Sequence, residues 1–169
     1  MRVLRIVGIV IGALVAIVIV VAVIVLLVGR EATWAALFGP PERPAIDFAT
    51  LVKAPTPNQY LVCPPDLCAE PDRIAPVLDV PVADLRDRFA RIALSAPRVR
   101  RLSDPQTMQQ DFVETSNLMR FPDTITVRFI PVTSNSSTLA IYSRAHYGKS
   151  DMGVNKARID SWLDALEAE

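Results

Sequence analysis

Histidine and cysteine are scarce in this chain: His146 is the sole histidine, and Cys63 and Cys68 are the only cysteines among 169 residues. Two thiolates are half of a tetrahedral zinc site, and the histidine lies far beyond them in sequence, so no metal centre is expected. Glycine is sparse too, with six residues, and none forms a phosphate-cradling loop, a dinucleotide fingerprint or a Gly-x-Ser-x-Gly elbow. These absences leave no cofactor expected. There is no repeat and no low-complexity tract beyond the first 30 residues. There is no excess of one charge either: 18 Lys and Arg balance 18 Asp and Glu. Together these features exclude a coiled coil, a disordered chain, a multipass transporter and a polybasic nucleic-acid binder.

Charge is missing altogether from Ile6 to Val28, 23 consecutive residues of which all but Gly8 and Gly12 are hydrophobic. As a helix this run covers roughly 35 Å at about 1.5 Å per residue, enough for a hydrocarbon core of about 30 Å. It is longer than the apolar region of a cleaved signal peptide, and Gly29-Arg30-Glu31-Ala32-Thr33-Trp34 supplies no small-x-small cleavage site. An uncleaved transmembrane helix is therefore expected over residues 6–28, after a cytoplasmic stretch at 1–5. Arg2, Arg5 and the amino terminus precede it and Arg30 follows, so the cation bias keeps the N-terminus in the cytoplasm and places the rest outside, in the periplasm of a bacterium. Trp34 and Phe38 then either rest at the outer interface or pack on the domain. Gly8 and Gly12 form a GxxxG, extended by Ala16, a face on which two such helices could associate weakly.

Nine prolines fall between Gly39 and Pro76. Proline fixes φ and removes a backbone donor, so residues 29–57 read as an extended linker, either a tether or a strap over the domain. The residues from Asn58 to Cys63 suggest an ordered segment, and the domain is set at 58–169. Cys63-Pro64-Pro65-Asp66-Leu67-Cys68 contains good turn residues, and outside the cytoplasm such a pair favours a structural disulfide. A redox pair fits less well, since the usual spacing is two residues. Two inert thiols and a metal site are the other readings.

Residues 31–169 carry 15 cations against 18 acids, which again speaks against nucleic acid. Pro76 to Val80 is a short strand candidate, and Pro81 suits the first turn of a helix. Val82, Leu85, Phe89 and Ile92 recur at helical spacing and predict an amphipathic helix from Val82 to Leu94, ended by Pro97. Strands are expected around Val99, from Gln110 to Met119, from Thr124 to Ile130 and from Thr138 to Tyr147, with Pro122-Asp123 and Thr133 to Ser137 as turns. Ile159, Trp162, Leu163 and Leu166 mark a last helix from Val154 to Leu166. The order β-α-β-β-β-β-α implies an α+β two-layer sandwich, a mainly antiparallel sheet with two helices on one face.

The densest polar cluster is Ser143-Arg144-Ala145-His146-Tyr147-Gly148-Lys149-Ser150-Asp151-Met152-Gly153-Val154-Asn155-Lys156-Ala157-Arg158-Ile159. With Phe121-Pro122-Asp123 before it, this segment resembles a bacterial and plastid family catalogued as domain of unknown function 1499. The family pattern runs approximately Ser-Arg-x-x-x-Gly-x-Ser-Asp-aromatic-Gly-Val-Asn-x-x-Arg-Ile, and only Met152 departs from it. The resemblance spans about Asn58 to Leu166 and implies a fold without implying an activity. Ser150, Asp151 or Asn155 can cap the last helix, with Asp151 paired to Arg144 or Arg158. A helix N-terminus ringed by cations also makes an anion site, with Arg144, Lys149, Ser150, Asp151, Asn155 and Arg158 as its residues. The expected function is a single-pass, membrane-anchored extracytoplasmic module that binds an envelope protein or an anionic or lipid ligand. Alternatives are an enzyme centred on Arg144, His146, Asp151 and Arg158, and an adaptor associating through the membrane helix.

Overall fold

The computed structural model describes residues 2–41 and 44–169; Met1, Glu42 and Arg43, which fall in the expected cytoplasmic stretch and linker, lie outside the described residues. The chain divides into two compact units, Met1–Pro40 and Pro41–Glu169. The first holds α1 (Arg2–Val28), 27 residues of which none is buried, long and apolar enough to cross a membrane. Gly29, at φ 87°, separates it from α2 (Arg30–Phe38), a helix not expected from the proline-rich reading of this region. Ala32, Ala35, Ala36 and Leu37 are good helix formers and the first proline comes only at Pro40. On α2 the Trp34 and Phe38 rings stack with centroids 5.9 Å apart.

The second unit is α+β. Its elements are β1 (Gln59–Cys63), β2 (Arg73–Ile74), α3 (Val82–Ser95), β3 (Val99–Arg101), β4 (Gln109–Thr115), β5 (Pro122–Pro131), β6 (Ser137–Ala145) and α4 (Val154–Glu167). The strands form one mixed sheet in the order β2-β1-β6-β5-β4-β3, antiparallel except where β1 meets β2. The strand expected at Pro76 to Val80 is a correction. Only Leu78 pairs there, exchanging hydrogen bonds of 2.8 and 2.9 Å with Ser137, because Pro76 and Pro81 cannot donate to a ladder. The strand that matters upstream is β1, which lies between β2 and β6. The strand from Gln110 stops at Thr115 instead of Met119. The Ser116 amide donates to the Phe121 carbonyl at 2.8 Å and its hydroxyl accepts from the Phe121 amide at 2.9 Å, closing a turn with Arg120 at φ 60°.

Alternation along the strands builds two cores. Val62, Phe112, Ile125, Val127, Phe129, Leu139 and Ile141 face the helices and meet Leu85, Phe89 and Ala93 of α3 and Ile159, Trp162, Leu163 and Leu166 of α4. Phe89 is the hub, with the rings of Phe112, Phe129 and Trp162 at 6.0, 5.8 and 5.7 Å. On the opposite face Leu61, Cys63, Ala140 and Tyr142 are covered by Phe48, which is fully buried, and by Ile46 and Leu51. Residues 44–57 of the proline-rich segment are thus a strap on the sheet. Thr124 donates its hydroxyl to the Pro41 carbonyl at 3.0 Å, and the Gln109 amide donates to the Ile46 carbonyl at 3.1 Å.

Candidate functional site

The polar cluster joins β6 to α4, and the period of two on β6 decides where its residues go. Ser143 points toward the helices and Arg144 toward the strap. Arg158 stands one turn along α4 from Asn155, so both reach down onto the sheet beside Ser143. The Ser143 hydroxyl donates to Asn155 Oδ1. Arg158 donates from Nη1 to Asn155 Oδ1 at 2.8 Å and to Ser143 Oγ at 3.1 Å, from Nη2 to Asp123 Oδ2 at 2.8 Å, and from Nε to Glu114 Oε2. Glu114 and Asp123 face each other across the β4–β5 ladder. One arginine side chain, 6% exposed, therefore ties three strands to α4. Burial pushes the Asp123 carboxyl up, and the Arg158 charge partly offsets it.

Asp151 has a different task. Its carboxylate accepts from the Gly153 amide at 3.1 Å and from the Asn155 amide and side-chain nitrogen at 2.9 and 2.7 Å. Burial would raise this carboxyl, but the Asn155 and Gly153 donors outweigh it and hold the group low. Asp151 thus satisfies free N–H groups at the start of α4. It does not pair with Arg144 or Arg158 as the sequence suggested; the ion-pair partners of Arg158 are Glu114 and Asp123. Gly153, at φ 80°, supplies the left-handed residue before the helix. Met152, in the family's aromatic position, is 97% exposed.

The structure brings Asp151, Asn155 and Arg158 together. Ser150 and Lys149 are exposed, and the Ser150 hydroxyl accepts only from the Met152 amide at 3.4 Å. Arg144 leaves the sheet on the opposite face, with its Cζ 5.0 Å from the Tyr142 ring centroid. His146 lies just beyond β6, where its amide donates to the Pro122 carbonyl at 3.0 Å and its ring meets Tyr147 edge-on at 4.5 Å. The four residues of the enzyme alternative are thereby divided between two faces. Among the described residues no three His, Cys, Asp or Glu side chains are placed to hold a metal.

Sequence reasoning missed Glu114 and the pair Gln59–Tyr142. Glu114 shares the helix-facing side with Phe112, a signal that the alternation carried. Gln59 accepts from the Tyr142 hydroxyl, but with β1 missing from the expected strand order nothing brings Gln59 beside β6. A second ionic group latches the far part of α4: Arg73 donates to Asp160 at 2.9 Å and reaches Glu167 at 3.5 Å, while Lys156 also binds Asp160. Burial raises the Asp160 carboxyl, but its bonds to Lys156 and Arg73 prevail and lower it. Cys63 and Cys68 are joined as a disulfide, Cα atoms 6.1 Å apart, beneath the strap.

None of the curated proteins matches this chain. Among solved structures it is similar to the crystal structure of the di-domain ARO/CYC BexL from the BE-7585A biosynthetic pathway, at 15% identity and a TM-score of 0.35, over 56% of this chain and 41% of that one. A likeness at that level carries no functional argument. The family model described as "Protein of unknown function (DUF1499)" matches residues 53–166, which include both faces of the sheet, the Arg158 cluster and the whole β6–α4 motif. The chain belongs to the DUF1499 family.

Proposed function

We propose that this protein is a single-pass membrane-anchored binding module of the cell envelope, with its N-terminus in the cytoplasm and the α+β unit in the periplasm. The anchor is α1, uncharged from Ile6 to Val28 and unburied. Orientation is supported by Arg2 and Arg5 on one side of the apolar run against Arg30 on the other. The Cys63–Cys68 disulfide suits an oxidising compartment. Gly8 and Gly12 have open space around them on α1, which leaves that face available to a second helix.

One observation carries binding over catalysis. The family motif spends its polar side chains on one another: Ser143, Asn155, Arg158 and Asp151 are hydrogen-bonded into the scaffold. A nucleophile needs a base within hydrogen-bond reach and a reacting atom beside it. The Ser143 hydroxyl is instead directed at an amide oxygen and receives a guanidinium. Alkaline phosphatase fused after Glu169 tests the topology, since it is active only outside the cytoplasm. An inactive fusion, with a cytoplasmic reporter active at the same position, overturns the orientation. Native mass spectrometry of the full chain from nanodiscs tests binding through co-purified mass.

A further inference from the structure

Of the motif's cations, Arg144 and Lys149 make no ion pair among the described residues, and Arg144 is the one partly buried. Its Nε is buried without a hydrogen-bond partner, and among the described residues no carboxylate pairs with it. The guanidinium lies on the Tyr142 ring, and the Tyr142 hydroxyl is in turn fixed by Gln59. Gln59 is pinned by donating to the Ala54 and Thr56 carbonyls, which holds the strap in place above it. Between strap and sheet is a cavity of about 320 Å³, lined by Leu51, Val52, Ala54 and Thr56 on one side and by Asn58, Gln59, Tyr142 and Arg144 on the other. No acidic residue lines it, and Val52 is 88% exposed at its rim.

A buried guanidinium N–H with no acceptor is costly unless something supplies one. Arginine presents a planar fork that matches the oxygens of a carboxylate or phosphate, and stacking on an aromatic ring fixes the plane of that fork. The apolar strap residues add a surface for a hydrocarbon segment. A volume near the lower end of ligand sites suits an end group and a short stretch of chain, not a whole lipid. We infer that the pocket between the strap and Tyr142 binds the oxyanion end group of an amphiphile, with Arg144 as the fork that holds it. This deepens the binding-module reading and rests on it. The oxyanion could belong to a bilayer lipid or to a soluble amphiphile.

The test uses the full-length chain in phosphatidylcholine nanodiscs, titrated calorimetrically with hexyl phosphate and hexanoate, and with hexanol and inorganic phosphate as controls. Saturable binding of one hexyl phosphate or hexanoate is expected, at least tenfold tighter than inorganic phosphate, with no binding of hexanol. Arg144→Gln should weaken it at least tenfold with an unchanged melting temperature. Should that variant misfold, Arg144→Lys keeps the charge but loses the fork, and should still weaken binding severalfold. Equal binding by the variants, no binding of either anion, or inorganic phosphate binding as tightly as hexyl phosphate overturns the proposal. Adding phosphatidic acid to the nanodisc identifies the source: competition points to a bilayer lipid, no competition to a soluble amphiphile, and both keep the site. If ³¹P spectra show hexyl phosphate turned over, the binding-module reading falls instead, whatever Arg144→Gln does.

Discussion

Arg158 on α4 and Asp123 at the start of β5 lie 35 residues apart in sequence and are joined by a hydrogen bond of 2.8 Å. The same guanidinium holds Glu114 on β4, so a single side chain compensates two carboxylates that the fold half-buries side by side. Removing it leaves Asp123 without its cation and Glu114 with Arg98 alone, 3.4 Å away. Arg158→Leu should destabilise the domain by about 3–5 kcal/mol, the usual cost of leaving buried charge unpaired. Denaturant unfolding checks this. A loss near the scale of a surface ion pair, under about 1 kcal/mol, would show that the cluster is not what fastens α4.

Asp151 makes stability depend on pH with a definite sign. Its carboxyl is held below the ordinary value in the folded chain, so its contribution is complete above the unfolded value near ~3.9 and is lost as pH falls through the folded one. Asp151→Ala should cost about 1 kcal/mol at neutral pH, as lost helix caps do, and the gap to the unmutated chain should shrink on acidification. Asp123 acts with the opposite sign. Raised by burial, its share is complete below the unfolded value and is lost as pH rises through the folded one. Melting curves of the Asp151 variant between pH 2 and 7 decide the point; a constant gap would refute it.

Phe48 makes the strap part of the fold. A fully buried phenylalanine truncated to alanine costs about 3–5 kcal/mol. Phe48→Ala should therefore lower the melting temperature markedly, and a fragment beginning at residue 58 should be less stable than one beginning at residue 41. Equal stability of the two fragments would mean that the second core is dispensable.

The Cys63–Cys68 bond closes a short loop, for which the chain-entropy account gives about 2 kcal/mol. Cys68→Ser should reduce stability by about that amount without abolishing folding, as read from urea midpoints. A chain that cannot fold would assign the bond a larger part than its loop length allows.

The sequence made the two amphipathic helices and the alternating strands β5 and β6 legible, because period and burial agree there: Ile159, Trp162 and Leu163 are buried together, as are Ile125, Val127 and Phe129. It did not reveal β1, although Gln59 to Cys63 is strand-like, because neighbouring prolines masked it and both of its faces are covered, so it does not alternate. The strand expected at Val80 failed for the reverse reason: Leu78 and Val80 pack, but prolines at both ends deny it a ladder. For the candidate site, residue types were legible and faces were not. Arg144 and Arg158 look alike in sequence, yet one residue of register on β6 and one turn of α4 place them on opposite sides of the sheet.

The two coverings of that sheet are unequal in how they are held. α4 is fastened by Arg158 near its start and by Arg73 acting on Asp160 and Glu167 further along, whereas the strap's covering is anchored mainly by Phe48 and a few side-chain bonds, its prolines contributing no amide hydrogens. Amide exchange in α4 should thus track global opening, while segment 44–57 lifts at lower free energy and exposes Tyr142 and Arg144 without loosening the helices. The molecule has a fixed side and an opening side, and Arg144, whose buried Nε has no hydrogen-bond partner, is on the side that opens.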